Sequence, residues 1–284
     1  MNGIIGIIGG SGVYSIPGVE IIRSEFIETP FGNPSAEVTF ANLHGLELAF
    51  IPRHGKGHRY TPSEVPYAAN IYALKSVGVK TLISFNAVGS LRQEIEPRHF
   101  VVPDQLFDRT KSIRESSFFG KGVVGHVSFG QPYCNELRQI LVKAAKKAGA
   151  IVHDGGTMIV MEGPAFSTKA ESEFYRAQGF DIIGMTTLPE AKLAKEAGMC
   201  YGTMAMSTDY DCWHESEEAV TVEMVMEVVK DNVVMAGKVL QEALLLLGKS
   251  SAFNCSCNNP VGVMTSPDAS EAVRLSQLEV VLKR

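Results

Sequence analysis

The chain has 284 residues, 45% of them apolar and 20% charged, with a formal net charge of −5, which is enough for a full globular core and excludes disordered and collagen-like classes. An acidic balance with no basic stripe argues against a nucleic-acid partner, because such affinity comes from Lys and Arg neutralising phosphates. No apolar run reaches the roughly 18 residues of a membrane span and residues 1–8 lack a charged leader region, so a cytoplasmic protein without membrane association is expected.

The first apolar run, 4–8, reads as a strand and leads into Gly9-Gly10-Ser11-Gly12. Such a turn lets backbone N–H groups and the Ser11 hydroxyl approach an anion. It is neither G-x-G-x-x-G nor a Walker loop, and a plain tight turn explains it equally well. A second strand, 48–51, ends at Pro52-Arg53-His54-Gly55-Lys56-Gly57-His58. Ligand crevices of open α/β sheets lie beyond strand carboxyl ends, and a guanidinium with an imidazole there outlines an anion clamp. A basic surface loop is the bland alternative.

A helix is expected from Ser63-Glu64 to Ser76, stopping at Gly78, followed by a strand over 81–85. That strand ends in Ser84-Phe85-Asn86-Ala87-Val88-Gly89-Ser90-Leu91, small residues plus an amide that permit close backbone approach. A strand at 100–103, a helix over 133–148 stopping at Gly149 and a strand at 158–161 come next. Glu162-Gly163-Pro164-Ala165-Phe166-Ser167 then forms a rigid turn whose one aromatic could act as a lid or stacking face. After a helix over 169–177, a strand at 182–185 delivers the hydroxyls of Thr186 and Thr187 to a helix over 188–197, whose amino end favours an anion.

The strand at 200–206 runs out into Ser207-Thr208-Asp209-Tyr210-Asp211-Cys212-Trp213. In extended chain, Asp209 and Asp211 would face one side, and two carboxylates in one cleft drive one of them to hold its proton, as a general acid must. An acidic, solvated loop is the competing view. A long helix over 222–247 is expected to stop at Gly248, and 250–265 reads as a surface excursion before Ser266-Pro267-Asp268 restarts a helix. Of the five cysteines, only Cys255-Ser256-Cys257 looks deliberate, and a C-x-C pair supplies two of the four ligands a zinc site wants. No metal and no organic cofactor are expected.

Strands alternating with helices indicate an α/β layered fold. No internal repeat appears, and no linker divides the first 250 residues, so one domain is expected over 1–250, with 251–284 as a C-terminal loop and helix packed on it or on a neighbouring subunit. Four strand ends present phosphate-suited groups and a fifth presents paired acids. Together they fit a site that joins phosphate to a nitrogenous leaving group.

Gly9-Gly10-Ser11-Gly12, Thr29-Pro30-Phe31-Gly32, Arg53-His54-Gly55, Gly89-Ser90-Leu91, Glu162-Gly163-Pro164, Met185-Thr186-Thr187 and Thr208–Trp213 together resemble the 5′-methylthioadenosine phosphorylases of the purine nucleoside phosphorylase family, in register from about residue 4 to 248. The resemblance implies a single-domain, nucleoside phosphorylase-like α/β fold with a twisted mixed sheet flanked by helices. It also implies a homotrimer or homohexamer with sites near subunit boundaries, and phosphorolysis with inorganic phosphate as co-substrate. Carried over by position, Ser11, Arg53, His54, Asn86, Ala87 and Thr186 would hold phosphate, and Met185 would lie against the ribose. Phe166, Ser167, Asp209 and Asp211 would grip adenine, with Asp209 as the acid at the purine and Asp211 accepting from the exocyclic amine. Val222, Val225 and Met226 would form the methylthio slot, and His126 would come from a neighbouring subunit. Many members have Thr where this chain has Asn86, so that contact would come from an amide, which still donates. The C-x-C pair is similar to that of hyperthermophile members, which implies intrachain disulfides. The rival readings are a broad-specificity or 6-oxopurine nucleoside phosphorylase, a hydrolytic nucleosidase, and a non-catalytic nucleoside-binding protein.

Overall fold

The structure, a computed structural model, describes residues 3–10, 18–214, 222–250, 253, 255–269 and 272–283. In chain order it contains β1 (Ile4–Gly9), β2 (Glu20–Glu25), β3 (Val38–Leu43), β4 (Leu46–Pro52), α1 (Tyr67–Ser76), β5 (Val79–Ser90), β6 (Phe100–Val102), β7 (Gln105–Arg109), β8 (Gly125–His126), α2 (Asn135–Ala148) and β9 (Val152–Asp154). There follow β10 (Thr157–Met161), α3 (Lys169–Ala177), β11 (Ile182–Gly184), α4 (Thr187–Glu196), β12 (Cys200–Asp209), α5 (Val222–Lys249), β13 (Gly262–Val263) and α6 (Ala272–Leu282), with short 3₁₀ turns at Ser256–Asn258 and Pro267–Ala269.

One mixed sheet runs β2-β3-β4-β1-β5-β11-β10-β7, with β12 pairing β5 and β6, and β6 pairing β9. Its central strands are buried along most of their length, β1 over 5–9 and β12 over 201–208, as strands covered on both faces are. Ala68, Ile71, Leu193, Leu278 and Val281, from α1, α4 and α6, share one core with Ile8, Ile51 and Leu82. Leu137, Leu141, Leu240 and Leu244, from α2 and α5, form the other with Ile5, Ile7, Phe50 and Ile83. Each such Leu, Ile, Val or Phe side chain, taken fully out of water, contributes about 1.5–3 kcal/mol.

The strand that positions the site is β5. Parallel β12 covers one of its edges from Thr81 to Gly89. The other edge is shared: parallel β1 pairs as far as Ser84, and antiparallel β11 meets it only at Gly89 and Ser90. Residues 85–88 therefore have an edge with no strand beside it, and a cleft opens there.

Several sequence expectations shift. β2, β3, β7 and β9 were not foreseen; β2 is exposed along its length, and three-residue β9 is too short for a periodic signal. α1 begins at Tyr67 rather than near Glu64, because a residue before proline avoids helical geometry and Val65 precedes Pro66. α5 ends at Lys249, one residue beyond the Gly248 expected as its stop. The stretch 250–265 is not purely a surface excursion: Cys257 and Val261 are buried, and β13 pairs antiparallel with β8.

Candidate active site

The cleft at the open edge of β5 has a volume of about 420 Å³. Gly10 from the end of β1, Arg53, His54, His58 and Pro62 after β4, and residues 85–89 of β5 line it. So do Met161, Phe166 and Ser167 after β10, Ile183 to Thr186 around the end of β11, Met206, Thr208, Asp209 and Asp211 at the end of β12, and Val225, Met226, Val229, Val233, Ala236 and Gly237 of α5. Arg53, His54, Asn86, Ala87, Phe166, Ser167, Met185, Thr186, Asp209, Asp211, Val225 and Met226, all singled out from the sequence, thus meet in one place. Ser11 lies outside the described residues, as does the side chain of Val222. His126 sits on β8 and lines a separate hollow with Phe129 and Lys192.

The sequence expectation placed Asn86 and Ala87 beyond a strand, but both are inside β5. They reach the cleft sideways, through the edge that β1 and β11 leave uncovered.

Arg53 is buried, at 2% exposure, and its fork does not lie open for an anion. Nε donates to Glu190 Oε2 at 2.7 Å and Nη2 to Glu190 Oε1 at 3.0 Å. Nη2 also donates to Ser84 Oγ at 2.6 Å and Nη1 to the Phe85 carbonyl at 3.0 Å. Four of the five guanidinium N–H groups are engaged, which leaves one on Nη1. Burial alone would lower the Arg53 pKa, but the charge and hydrogen bonds of Glu190 outweigh it and raise the value further. The clamp expected from sequence is therefore a neutralised ion pair with one free donor, a correction that follows from Glu190 matching the planar fork.

Asn86 Nδ2 donates to Thr186 Oγ1 at 2.9 Å, and Asn86 Oδ1 is 2.8 Å from the Ser84 hydroxyl. The amide keeps a second Nδ2 hydrogen for a ligand. Thr186 caps α4 without a side-chain cap bond, and Leu188 leaves helical geometry at φ −112°, ψ 136°. Regular helix thus begins past the residues that line the cleft, so the expected helix-end field at Thr186 is weakened.

The His54 ring stacks on His58, with centroids 4.2 Å apart, and its Nδ1 lies 2.8 Å from the Tyr60 carbonyl. A carbonyl only accepts, so Nδ1 carries the hydrogen and Nε2 presents a lone pair. Burial, with Arg53 and His58 adding to it, holds the imidazole down to about 4. The folded protein then binds fewer protons at this ring than the unfolded chain does between the ordinary histidine value and about 4. Stability is expected to fall as pH drops through that window, by up to about 3 kcal/mol from this group. Urea unfolding against pH checks it: His54→Asn should flatten that part of the profile, and equal slopes in both proteins would refute the assignment.

Asp209 is the last residue of β12, and the β12–β5 register slips between Ser207 and Asp209, a bulge that re-aims the side chain. Asp211 does not continue the strand. At φ 52° it occupies the left-handed region, which Asp tolerates, and its N–H donates to Asp209 Oδ1 at 2.8 Å. The carboxyls share the cleft through a turn, not through extended alternation. Trp213 Nε1 donates to the Ser90 carbonyl at 2.7 Å, and Arg176 covers the Trp213 ring at 3.5 Å, fixing the turn from outside. A Cβ on Gly89 would stand 2.9 Å from Asp209 Oδ1, so glycine is what admits the carboxyl there.

Thr208 Oγ1 lies 2.6 Å from Asp209 Oδ2 and 3.1 Å from the Val88 carbonyl. With its one hydrogen on Val88, that hydroxyl accepts from a protonated Asp209; turned round, it donates to the carboxylate. Asp211 Oδ2 is buried with no hydrogen-bond partner among the described residues. Burial raises the Asp211 pKa, against the Ser172 and Ser167 hydroxyls and the Cys212 N–H, which lower it. Desolvation, rather than the mutual repulsion expected from the sequence, is the leading cause.

Sequence reasoning missed the supports behind these groups. Arg114 is buried; its Nε donates to Glu162 Oε1 at 2.8 Å and its Nη1 to the carbonyls of Met185 at 2.5 Å and Leu188 at 2.7 Å. It thereby ties the turn before Phe166 to the loop carrying Met185 and Thr186. Neither Arg114 nor Glu190 carries a local signal, since their partners lie far along the chain. The α5 lining had one: Val225, Val229, Val233 and Gly237 recur every four residues on one helix face.

Comparison with known proteins agrees with this architecture. The sequence profile described as the phosphorylase superfamily matches residues 4–245. The chain is 48% identical over 284 residues to an S-methyl-5′-thioadenosine phosphorylase of Geobacter sulfurreducens, covering 99% of both chains. It is 51% identical over 264 residues to that of Chloroflexus aurantiacus, covering 93% of this chain and 92% of the relative. Among solved structures, a methylthioadenosine phosphorylase from an antarctic soil metagenomic library superposes with a TM-score of 0.93 at 43% identity over 100% of both chains. The Schistosoma mansoni methylthioadenosine phosphorylase in complex with adenine gives 0.84 at 37% identity, over 88% of this chain and 93% of that one. The chain belongs to the phosphorylase superfamily, among the S-methyl-5′-thioadenosine phosphorylases.

Proposed function

We propose that this chain splits 5′-methylthioadenosine with inorganic phosphate into adenine and 5-methylthioribose 1-phosphate, with Asp209 as the acid at the purine. One observation carries the reading: the Asp209/Asp211 pair and the anion-suited groups Arg53, His54, Asn86 and Thr186 open into the same cleft, together with Met185 and an apolar helix face.

Breaking the N-glycosidic bond leaves positive charge on the sugar and negative charge on the departing base, so both ends need stabilising at once. Phosphate under C1′ answers the first need, as a carboxylate does in glycosidases. It takes the free Arg53 N–H, the second Asn86 Nδ2 hydrogen, the Thr186 hydroxyl, the Ala87 backbone and Ser11. His54 has only a lone pair to offer, so phosphate arrives as its hydrogen-bearing form with that hydrogen on Nε2. Asp209 passes a proton to N7 of adenine, and Asp211 accepts from the 6-amino group. Phe166, 48% exposed, and Ser167 border the base, while Val222, Val225 and Met226 receive the methylthio group. No metal or organic cofactor takes part in these steps. We further infer a cytoplasmic homotrimer or homohexamer in which His126 of a neighbouring copy completes the site, supported by its place outside its own chain's cleft. Residues 1–250 form the catalytic domain in this reading, with 251–284 as its C-terminal extension.

The raised Asp211 pKa favours a second reading, broad base specificity, because a protonated Asp211 can donate to a 6-oxo group. One assay separates the possibilities: base release from methylthioadenosine, adenosine and inosine, with and without phosphate. Phosphate-dependent adenine release is expected, with methylthioadenosine ahead of adenosine by about 10–200-fold from thioether burial. Release without phosphate would make the protein a hydrolase, and no release would make it a binding protein.

A further inference from the structure

We propose that Cys134, Cys200, Cys255 and Cys257 form a tetrathiolate site for a zinc ion that fastens the C-terminal segment to the sheet. Their four Sγ atoms lie within 4.8 Å of one another. A zinc ion with sulfurs about 2.3 Å away spans a tetrahedron with edges of about 3.8 Å, so the cluster needs only slight adjustment to close on the metal. The C-x-C pair, which alone lacks two ligands, finds them in the fold.

Each ligand has a structural reason to be there. Cys134 is the N-cap residue of α2, and its N–H donates to the Tyr201 carbonyl at 2.8 Å, which sets it beside the first residue of β12, Cys200. Cys255 is extended at φ −121°, ψ 161° and leads into the 3₁₀ turn Ser256–Asn258, a bend that keeps the Cys255 and Cys257 sulfurs in one cluster. Cys134 and Cys257 are buried and Cys200 and Cys255 half-buried, within the core formed by Leu137, Leu244 and Leu247. On coordination the four thiol protons go to solvent.

All five cysteines are free in this structure, where the resemblance implies intrachain disulfides. Cys200 and Cys255 are in non-bonded contact at 3.3 Å. The site stands at the opposite end of β12 from Asp209, roughly 30 Å along the strand, so it is independent of the catalytic reading. Its role is structural: it anchors the chain between α5 and β13 with ligands drawn from α2 and β12.

The untagged full-length protein, purified without chelator, is expected to carry one zinc per chain by plasma mass spectrometry, released as a mercurial titrates the thiols. The chain stripped under reductant and reloaded with Co²⁺ alone should show sulfur-to-cobalt charge transfer and the intense visible bands of tetrahedral cobalt. Cys255→Ser with Cys257→Ser should lose the metal and both spectral features, with a Tm lower by several degrees, while Cys212→Ser, outside the cluster, should keep them. Two disulfides in the native chain by non-reducing peptide mapping, or free thiols that take up neither zinc nor cobalt, would overturn the proposal. Both readouts use the unmutated protein and do not depend on a variant that folds.

Discussion

Asp209→Asn is expected to give a folded protein whose turnover with methylthioadenosine is lower by about 10²–10⁴-fold, the usual scale of general acid–base catalysis. The amide fits where the carboxyl was. Its Oδ1 can still accept from the Asp211 N–H, which lies 2.8 Å from that oxygen. Its Nδ2 can donate to Thr208 Oγ1, because that hydroxyl has the Val88 carbonyl at 3.1 Å for its own hydrogen. Both local bonds survive, so Tm should stay near the parent value. The lost property is proton delivery to the leaving purine, so kcat falls while the KM for phosphate changes little. Turnover close to the parent's would remove Asp209 from the acid role.

Arg53→Ala should do two things at once. It strips the partner from Glu190, which is wholly buried and paired to Arg53 at 2.7 Å. Breaking a buried pair in this way typically costs 3–5 kcal/mol, because one charge stays in the interior uncompensated. The substitution also removes the one guanidinium N–H left for phosphate, so the phosphate KM should rise in whatever fraction folds. Urea unfolding separates the effects. Adding Glu190→Ala should recover part of the lost stability, since the orphaned charge is gone, without restoring phosphate affinity. If the double variant is as unstable as the two single losses summed, the pair is not coupled. If phosphate KM is unchanged in Arg53→Ala, phosphate is held by other groups.

Much of the fold was legible because it rests on local chemistry. β1, β4, β10 and β12 are short apolar runs, and α3 begins at Thr168 with a capping box closed by Glu171, signals that need only near neighbours. The parts that were not legible depend on distant partners. β2 and β7 carry too little apolar patterning to declare themselves, and β5 was read at under half its length because its second half owes its pairing to β12 and β11.

The site divides in the same way. From residue types around strand ends, the sequence alone picked out Arg53, His54, Asn86, Thr186, Asp209 and Asp211, all of which line the one cleft. Only the tertiary structure decided what each can do. Glu190, 137 positions from Arg53, engages the guanidinium fork, and the Tyr60 carbonyl sets the His54 tautomer. A bulge and a left-handed Asp211 bring the two carboxyls into the cleft, and four cysteines from three parts of the chain converge on one point. Hydrogen-bond direction, desolvation and ligand geometry act through space over a few ångströms, and separation along the chain carries no measure of that distance.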